Sequence, residues 1–282
     1  MKNISANKLK LRDFSSSPLT IPPEKAVAKI RQMMGRKGID FVIVGDKKSV
    51  NGIITAYDIC RSLLSVKDIN QLDKMIARDL ISDNYILLPE NSNILDALEY
   101  VIAGKKVIIH TKRGEVSGIF TGFEALNVYT KIIGNKPLYD LVSKEFILAH
   151  PTHSIMSILR KMIKSKEDTA VIVDIRKRPI GIISYLDIVS APSNLLTFAS
   201  YRSYREVRNA GFSKYVKRGG TVAQDVMRAS IYPVSYNSSL NDAILRMYLD
   251  KLNSVPVVDE YESIIGIVKL IDITILALKE ME

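Results

Sequence analysis

The chain has 282 residues, 47% apolar and 25% charged, with a formal net charge of +10. This is enough for about two ordinary domains with a sizeable core, and it excludes a disordered chain. No run of about 18 apolar residues exists, so no membrane span is expected. The N-terminal MKNISANKLKLRDFSSSP is polar and basic and lacks the apolar stretch of a secretory signal. Cys60 is the single cysteine and cannot form an internal disulfide, so a reducing, cytoplasmic location is expected. The basic charge favours anionic partners without choosing among nucleotides, nucleic acid and acidic protein surfaces. His150 and His153, in HPTHS, read as a polar turn rather than a metal centre, and no metal is expected. There is no Ser/His/Asp arrangement, phosphate loop or GxGxxG, so the expectation is a protein that is not an enzyme.

In chain order, the first unit opens with an extended PLTIPP. PPEKAVAKIRQMMGRKG follows, a helix with Pro and Glu at its start and Gly at its end. DFVIVG (40–45) is a short, β-branched, bounded run, hence a buried strand. A polar turn, DKKSVN, leads to a second strand ending in GIITAYD (52–58), and AYDICRSLL begins another helix. The same order returns three times. YILLPE, NSNILDALEYVIAGKK, VIIHT (107–111), GIFTGFE (118–124) and GFEALNVYTKI form the second unit. FILAHP, THSIMSILRKMIKSK, AVIVD (170–174), GIISYLD (181–187) and YLDIVSA form the third. SIYPVSY, NSSLNDAILRMYLDK, VPVVD (255–259), GIVKLID (266–272) and LIDITILALKEM form the fourth. Asn or Thr residues precede the apolar helix faces as candidate caps. A strand–helix–strand–strand–helix unit of about 55–60 residues buries little core alone, so the units are expected to pack together.

The recurring G-apolar-apolar-[T/S]-x-x-[D/E] allows two readings. Thr55 with Asp58, Thr121 with Glu124 and Ser184 with Asp187 fit a capping box, in which hydroxyl and carboxylate satisfy the first N–H groups of a helix. The same geometry offers a phosphate donor and, one turn on, an acceptor-only carboxylate suited to two ribose hydroxyls. In the fourth copy Lys269 replaces the hydroxyl beside Asp272; it cannot cap, and its ammonium suits a phosphate. In the second copy Glu124 is one methylene longer than Asp.

The order of elements, the stretch VPVVDEYESIIGIVKLIDI (255–273) and the four in-phase motifs resemble the CBS domain family. The resemblance covers about residues 15–280. It implies an α/β fold of four CBS repeats, in which consecutive repeats pair across their sheets into two tandem modules that meet as a disc. Four-repeat members include archaeal stand-alone proteins and the regulatory gamma subunit of AMP-activated protein kinase. The boundaries expected are a tail (1–14), repeat one (15–67), repeat two (76–133), repeat three (136–192), a basic aromatic linker (193–221) and repeat four (222–282). The resemblance also implies that the hydroxyl faces phosphate and the carboxylate grips the ribose of an adenosine nucleotide. Adenine would then lie against strand edges near Ile147, Tyr232 or Val255. Lys105 and Lys106 fall where that gamma subunit carries phosphate-touching basic residues; a helix C-terminus stabilised by lysine reads them equally well. Repeats one and three, with both groups intact, are the strongest candidates.

The segment 191–221 carries Arg202, Arg205, Arg208, Lys214, Lys217 and Arg218 against Glu206, interleaved with Tyr201, Tyr204, Phe212 and Tyr215. It reads as a helical connection with a solvated basic face, a partner- or phosphate-facing element, or a nucleic-acid surface. The function expected is non-catalytic sensing of an adenosine nucleotide. AMP leads because one phosphate-facing group suits one phosphate; ADP, ATP and S-adenosylmethionine follow. A protein effector would read the bound state, and the assembly would be a monomeric disc or a homodimer. The alternative is a nucleic-acid-associated or protein-interaction scaffold acting through 191–221.

Overall fold

A computed structural model describes residues 9–133, 136–196, 220–229 and 231–281. The four expected units are present. Unit one comprises β1 (Thr20–Ile21), α1 (Val27–Lys37), β2 (Phe41–Gly45), β3 (Val50–Thr55) and α2 (Ala56–Leu63). A short helix, α3 (Ile69–Lys74), leads to unit two: β4 (Tyr85–Pro89), α4 (Ile94–Ile102), β5 (Lys106–His110), β6 (Val116–Phe120) and α5 (Gly122–Ile133). Unit three comprises β7 (Ile147–Ala149), α6 (Ile155–Ser165), β8 (Thr169–Val173), β9 (Pro179–Ser184) and α7 (Tyr185–Ser190). A short strand, β10 (Arg228–Ala229), precedes unit four: β11 (Val234–Ser235), α8 (Leu240–Asp250), β12 (Ser254–Val258), β13 (Ile264–Lys269) and α9 (Leu270–Met281).

In every unit the first strand runs parallel to the second, and the second and third form an antiparallel hairpin. Each hairpin carries a bulge at the same place, at the residue immediately before the motif glycine: Asn51, Ser117, Ile180 and Ile265. The first helices start differently. Asn93 accepts from Leu95 N–H at α4. At α8 the cap is Ser239, which accepts from Asp242 N–H, rather than the earlier Asn237. Ahead of α6, Thr152 bonds the His150 ring instead of capping.

Alternation along the strands divides the core into two kinds. Side chains on one sheet face join the helices of units one and three, including Ile30, Met34, Ile59, Leu159 and Ile188. The helices of units two and four form a second such core around Leu98, Tyr129, Ile244 and Ile273. On the other sheet face, Phe41, Ile43 and Ile53 of unit one meet Ile108, Val116 and Ile119 of unit two. Val171 of unit three meets Ile264 and Ile267 of unit four. Sheets therefore pair units one with two and three with four, and helices join the two pairs.

Arg31 on α1 ties the pairs together. Its buried guanidinium donates to the carbonyls of Val189 (3.1 Å) and Ala191 (2.7 Å), to Ser193 Oγ (3.0 Å) and to Asp73 Oδ1 (2.6 Å). Ser193 Oγ donates in turn to Asp73 Oδ2 (2.6 Å). Before unit two, Leu11 is fully buried, and its N–H bonds Ser92 carbonyl (3.1 Å), so part of the segment read as a tail is docked on unit two.

Candidate functional site

The segment leading into each unit crosses to its sheet partner. Ser16 bridges to Ile119, Ser82 to Ile53 and Ser143 to Ile267, while Arg228 in β10 pairs with Ile182. Each of these partners directly follows a motif glycine. The close crossing explains the glycine. A Cβ on Gly266 would stand 2.4 Å from Val142 Cγ1 and 2.6 Å from the Ser143 carbonyl oxygen. At Gly181 it would meet Met227 Sδ at 2.6 Å. The glycine read from sequence as the opening of a motif is thus where the neighbouring unit's linker lies against the sheet.

The linker also forms one wall of a cleft whose other wall is the motif acid and the helix after it. In the second pair an open cleft of about 300 Å³ lies between Val226 and Arg228 of the linker and Asp187, Ala191 and Pro192. Its counterpart, about 360 Å³, lies between Leu141, Val142 and Ser143 and Asp272, Ile275 and Leu276. Each combines two carboxylates (Asp187 with Asp225, Asp272 with Asp140) and one basic side chain (Arg228, Lys279) with apolar side chains, at the lower end of the size range for small-molecule sites.

The motif forms the capping box in units one and three. Asp58 Oδ2 accepts from Thr55 N–H (2.8 Å) and Oγ1 (2.6 Å), and Thr55 Oγ1 accepts from Asp58 N–H (3.1 Å). Ser184 and Asp187 reproduce this at 2.8, 2.6 and 3.3 Å. In unit two, Glu124 Oε2 accepts from Thr121 N–H (2.7 Å) and Oγ1 (2.5 Å), so the longer acid still closes the box. The second carboxylate oxygen separates the sites. Glu124 Oε1 accepts from Ser16 Oγ (2.6 Å), and Asp187 Oδ1 accepts from Arg228 Nη2 (3.0 Å). Asp58 Oδ1 accepts nothing among the described residues, and Asp272 has no side-chain hydrogen bond there. Burial pushes the Asp272 carboxyl above the usual carboxylate range; Lys269 pulls it down and Glu167 adds to the rise.

Both lysines suggested for phosphate are already paired. Lys106 Nζ donates to Asp40 Oδ2 of unit one (2.7 Å), and Lys269 Nζ to Glu167 Oε1 of unit three (2.7 Å). Burial draws the Lys106 ammonium down, but Asp40, Asp168 and Glu124 together outweigh it and hold it above its ordinary value. Lys105 closes the end of α4 through its N–H, bonded to the Tyr100 carbonyl (2.9 Å). The apolar candidates scatter. Val255 is fully buried in the helix core of units two and four, and Ile147 is in that of units one and three. Strand alternation turns both inward, away from the clefts. Tyr232 is exposed, with the Arg246 guanidinium 4.6 Å from its ring centre. His150 and His153 form the expected turn, with His153 Nδ1 accepting from His150 N–H (3.2 Å). No cluster of metal-binding side chains occurs among the described residues. Most of the 191–221 segment, from 197 to 219, lies outside the described residues.

Sequence reasoning missed Ser16, Ser143 and Arg228. The signal was the position ahead of each unit's first strand, which becomes meaningful only once the linker is known to cross over.

No curated protein matches the chain. Among solved structures, a Methanocaldococcus jannaschii protein proposed as an archaeal homologue of g-AMPK superposes with a TM-score of 0.75 at 19% identity, over 95% of this chain and 99% of that one. An uncharacterised conserved protein of Pyrococcus horikoshii gives 0.58 at 15% identity, over 95% and 100%. At these identities the likeness is one of fold. The CBS domain model matches residues 11–65, 138–194 and 222–278, more than half of the chain, and the unmatched stretch contains unit two with the same order of elements. With its units paired sheet to sheet, the chain belongs to the CBS domain family.

Proposed function

We propose that the protein is a non-catalytic regulatory sensor of adenosine nucleotides, with AMP as its ligand. The observation that carries this reading is the repeated construction of the two clefts in the second pair. Each sets a motif carboxylate, an acceptor for ribose hydroxyls, among apolar side chains able to pack against a base: Ala191, Pro192 and Val226 in one, Leu141, Val142, Ile275 and Leu276 in the other. Each cleft presents one basic side chain, Arg228 in the first and Lys279 in the second, which favours the single phosphate of AMP over ADP and ATP. A nucleotide in such a cleft touches both units of a pair. It can therefore bias their relative placement, and a protein effector would read that shift.

Calorimetric titration of the full chain with AMP, ADP, ATP and S-adenosylmethionine tests the reading. Saturating AMP at about 100 times its Kd should stabilise the fold by about 2.7 kcal/mol. Asp272→Ala should remove one binding event. Absence of both heat and thermal stabilisation with all four ligands would sink it.

A further inference from the structure

The four linker residues that stand opposite the position after each motif glycine are Ser16, Ser82, Ser143 and Arg228. Three are serines, and only the cleft at Asp187 faces an arginine. Arg228 is two-thirds covered and anchored at both amino groups. Nη1 donates to the Asp250 carbonyl (2.5 Å) and Nη2 to Asp187 Oδ1 (3.0 Å). Because Asp187 Oδ2 already serves the capping box, every oxygen of this carboxylate is engaged.

We propose that Arg228 is a specificity-determining residue that restricts the unit-three cleft to nucleosides carrying an anionic group. The inference rests on the nucleotide reading above and adds which ligands this one cleft refuses. A ribose that shares Asp187 Oδ1 competes with the guanidinium and weakens the hold of this partly buried cation on its counter-charge. A phosphate on the same ligand supplies a replacement acceptor, which a planar guanidinium can hold at two points. A neutral nucleoside supplies none. The clefts facing serine carry no such requirement.

The test isolates this cleft in the full chain carrying Asp58→Ala, Glu124→Ala and Asp272→Ala, and compares AMP with adenosine by calorimetry. The expected preference for AMP is at least about tenfold, the scale of one charge-assisted contact. Arg228→Ser, which installs the residue found at the other three positions, should bring the preference to within about threefold. Arg228→Lys, which keeps the charge but loses the two-point hold, should retain part of it. Thermal denaturation of each variant checks folding. If AMP still binds and the preference survives Arg228→Ser, Arg228 is not the discriminator, and the nucleotide site stands without it. If the unaltered chain binds neither compound at any cleft, the nucleotide reading itself fails and this inference falls with it.

Discussion

Replacing Arg31 by Met tests whether the two pairs are locked by a buried polar hub. Arg31 is 5% exposed at its side chain and Asp73 16%, and their atoms approach to 2.6 Å. Removing the guanidinium strands the Val189 and Ala191 carbonyls and leaves Asp73 with only the Ser193 hydroxyl. Breaking a buried ion pair by deleting one partner costs about 3–5 kcal/mol. Asp73 retains some access to water, which places the expected loss near the lower figure, about 3 kcal/mol. For a chain of this size that corresponds to a Tm lower by roughly 5 °C. Urea titration and calorimetry of the variant read the change directly. The double variant Arg31→Met, Asp73→Leu removes the stranded charge, so it should recover at least half of the loss. A single variant within about 0.5 kcal/mol of the unaltered chain, or a double variant whose losses simply add, would refute the hub.

Gly266→Ala forces a Cβ against Val142 and the Ser143 backbone, and it should cost about 1–3 kcal/mol by overpacking, measured by urea denaturation; a neutral result would mean that the linker yields. Cys60 is fully buried and burial pushes its thiol pKa up, with Arg31 opposing, so alkylation at pH 8 should proceed only through opening and accelerate in Arg31→Met. Asp272 is held protonated to higher pH than an ordinary carboxyl. The stability it contributes is full below the unfolded value of about 3.9 and is lost as pH rises through the folded value. Ribose requires the ionised form, so AMP affinity at this cleft should rise as pH climbs through the raised folded value; a profile unchanged by Asp272→Asn would contradict the assignment.

The four units were legible because their patterns are local. A β-branched run followed by a turn, a glycine and a hydroxyl-x-x-acid box needs only neighbouring residues to specify a hairpin and a helix start, and Thr55 with Asp58 folds as the box demands. The crossings were not legible. Nothing near Arg228 in sequence announces Asp187, because the contact depends on a linker pairing with another unit's sheet. Val255 and Ile147 sit on strands correctly placed, yet which face of each strand meets the helices is decided by the other pair of units. Lys106 and Lys269 looked available for the same reason: Asp40 and Glu167 reach them only after the sheets meet.

The ring of four units has joints of unequal strength. The helix joints are broad, and Arg31 bolts one of them shut. The sheet joint between units three and four has the smaller apolar core, Val171, Ile264 and Ile267, joined by the buried Thr169–Ser254 hydroxyl pair and the Lys269–Glu167 ion pair. Both clefts lie within this pair, so a ligand filling either one would act on the pair whose sheet joint has the smaller apolar core.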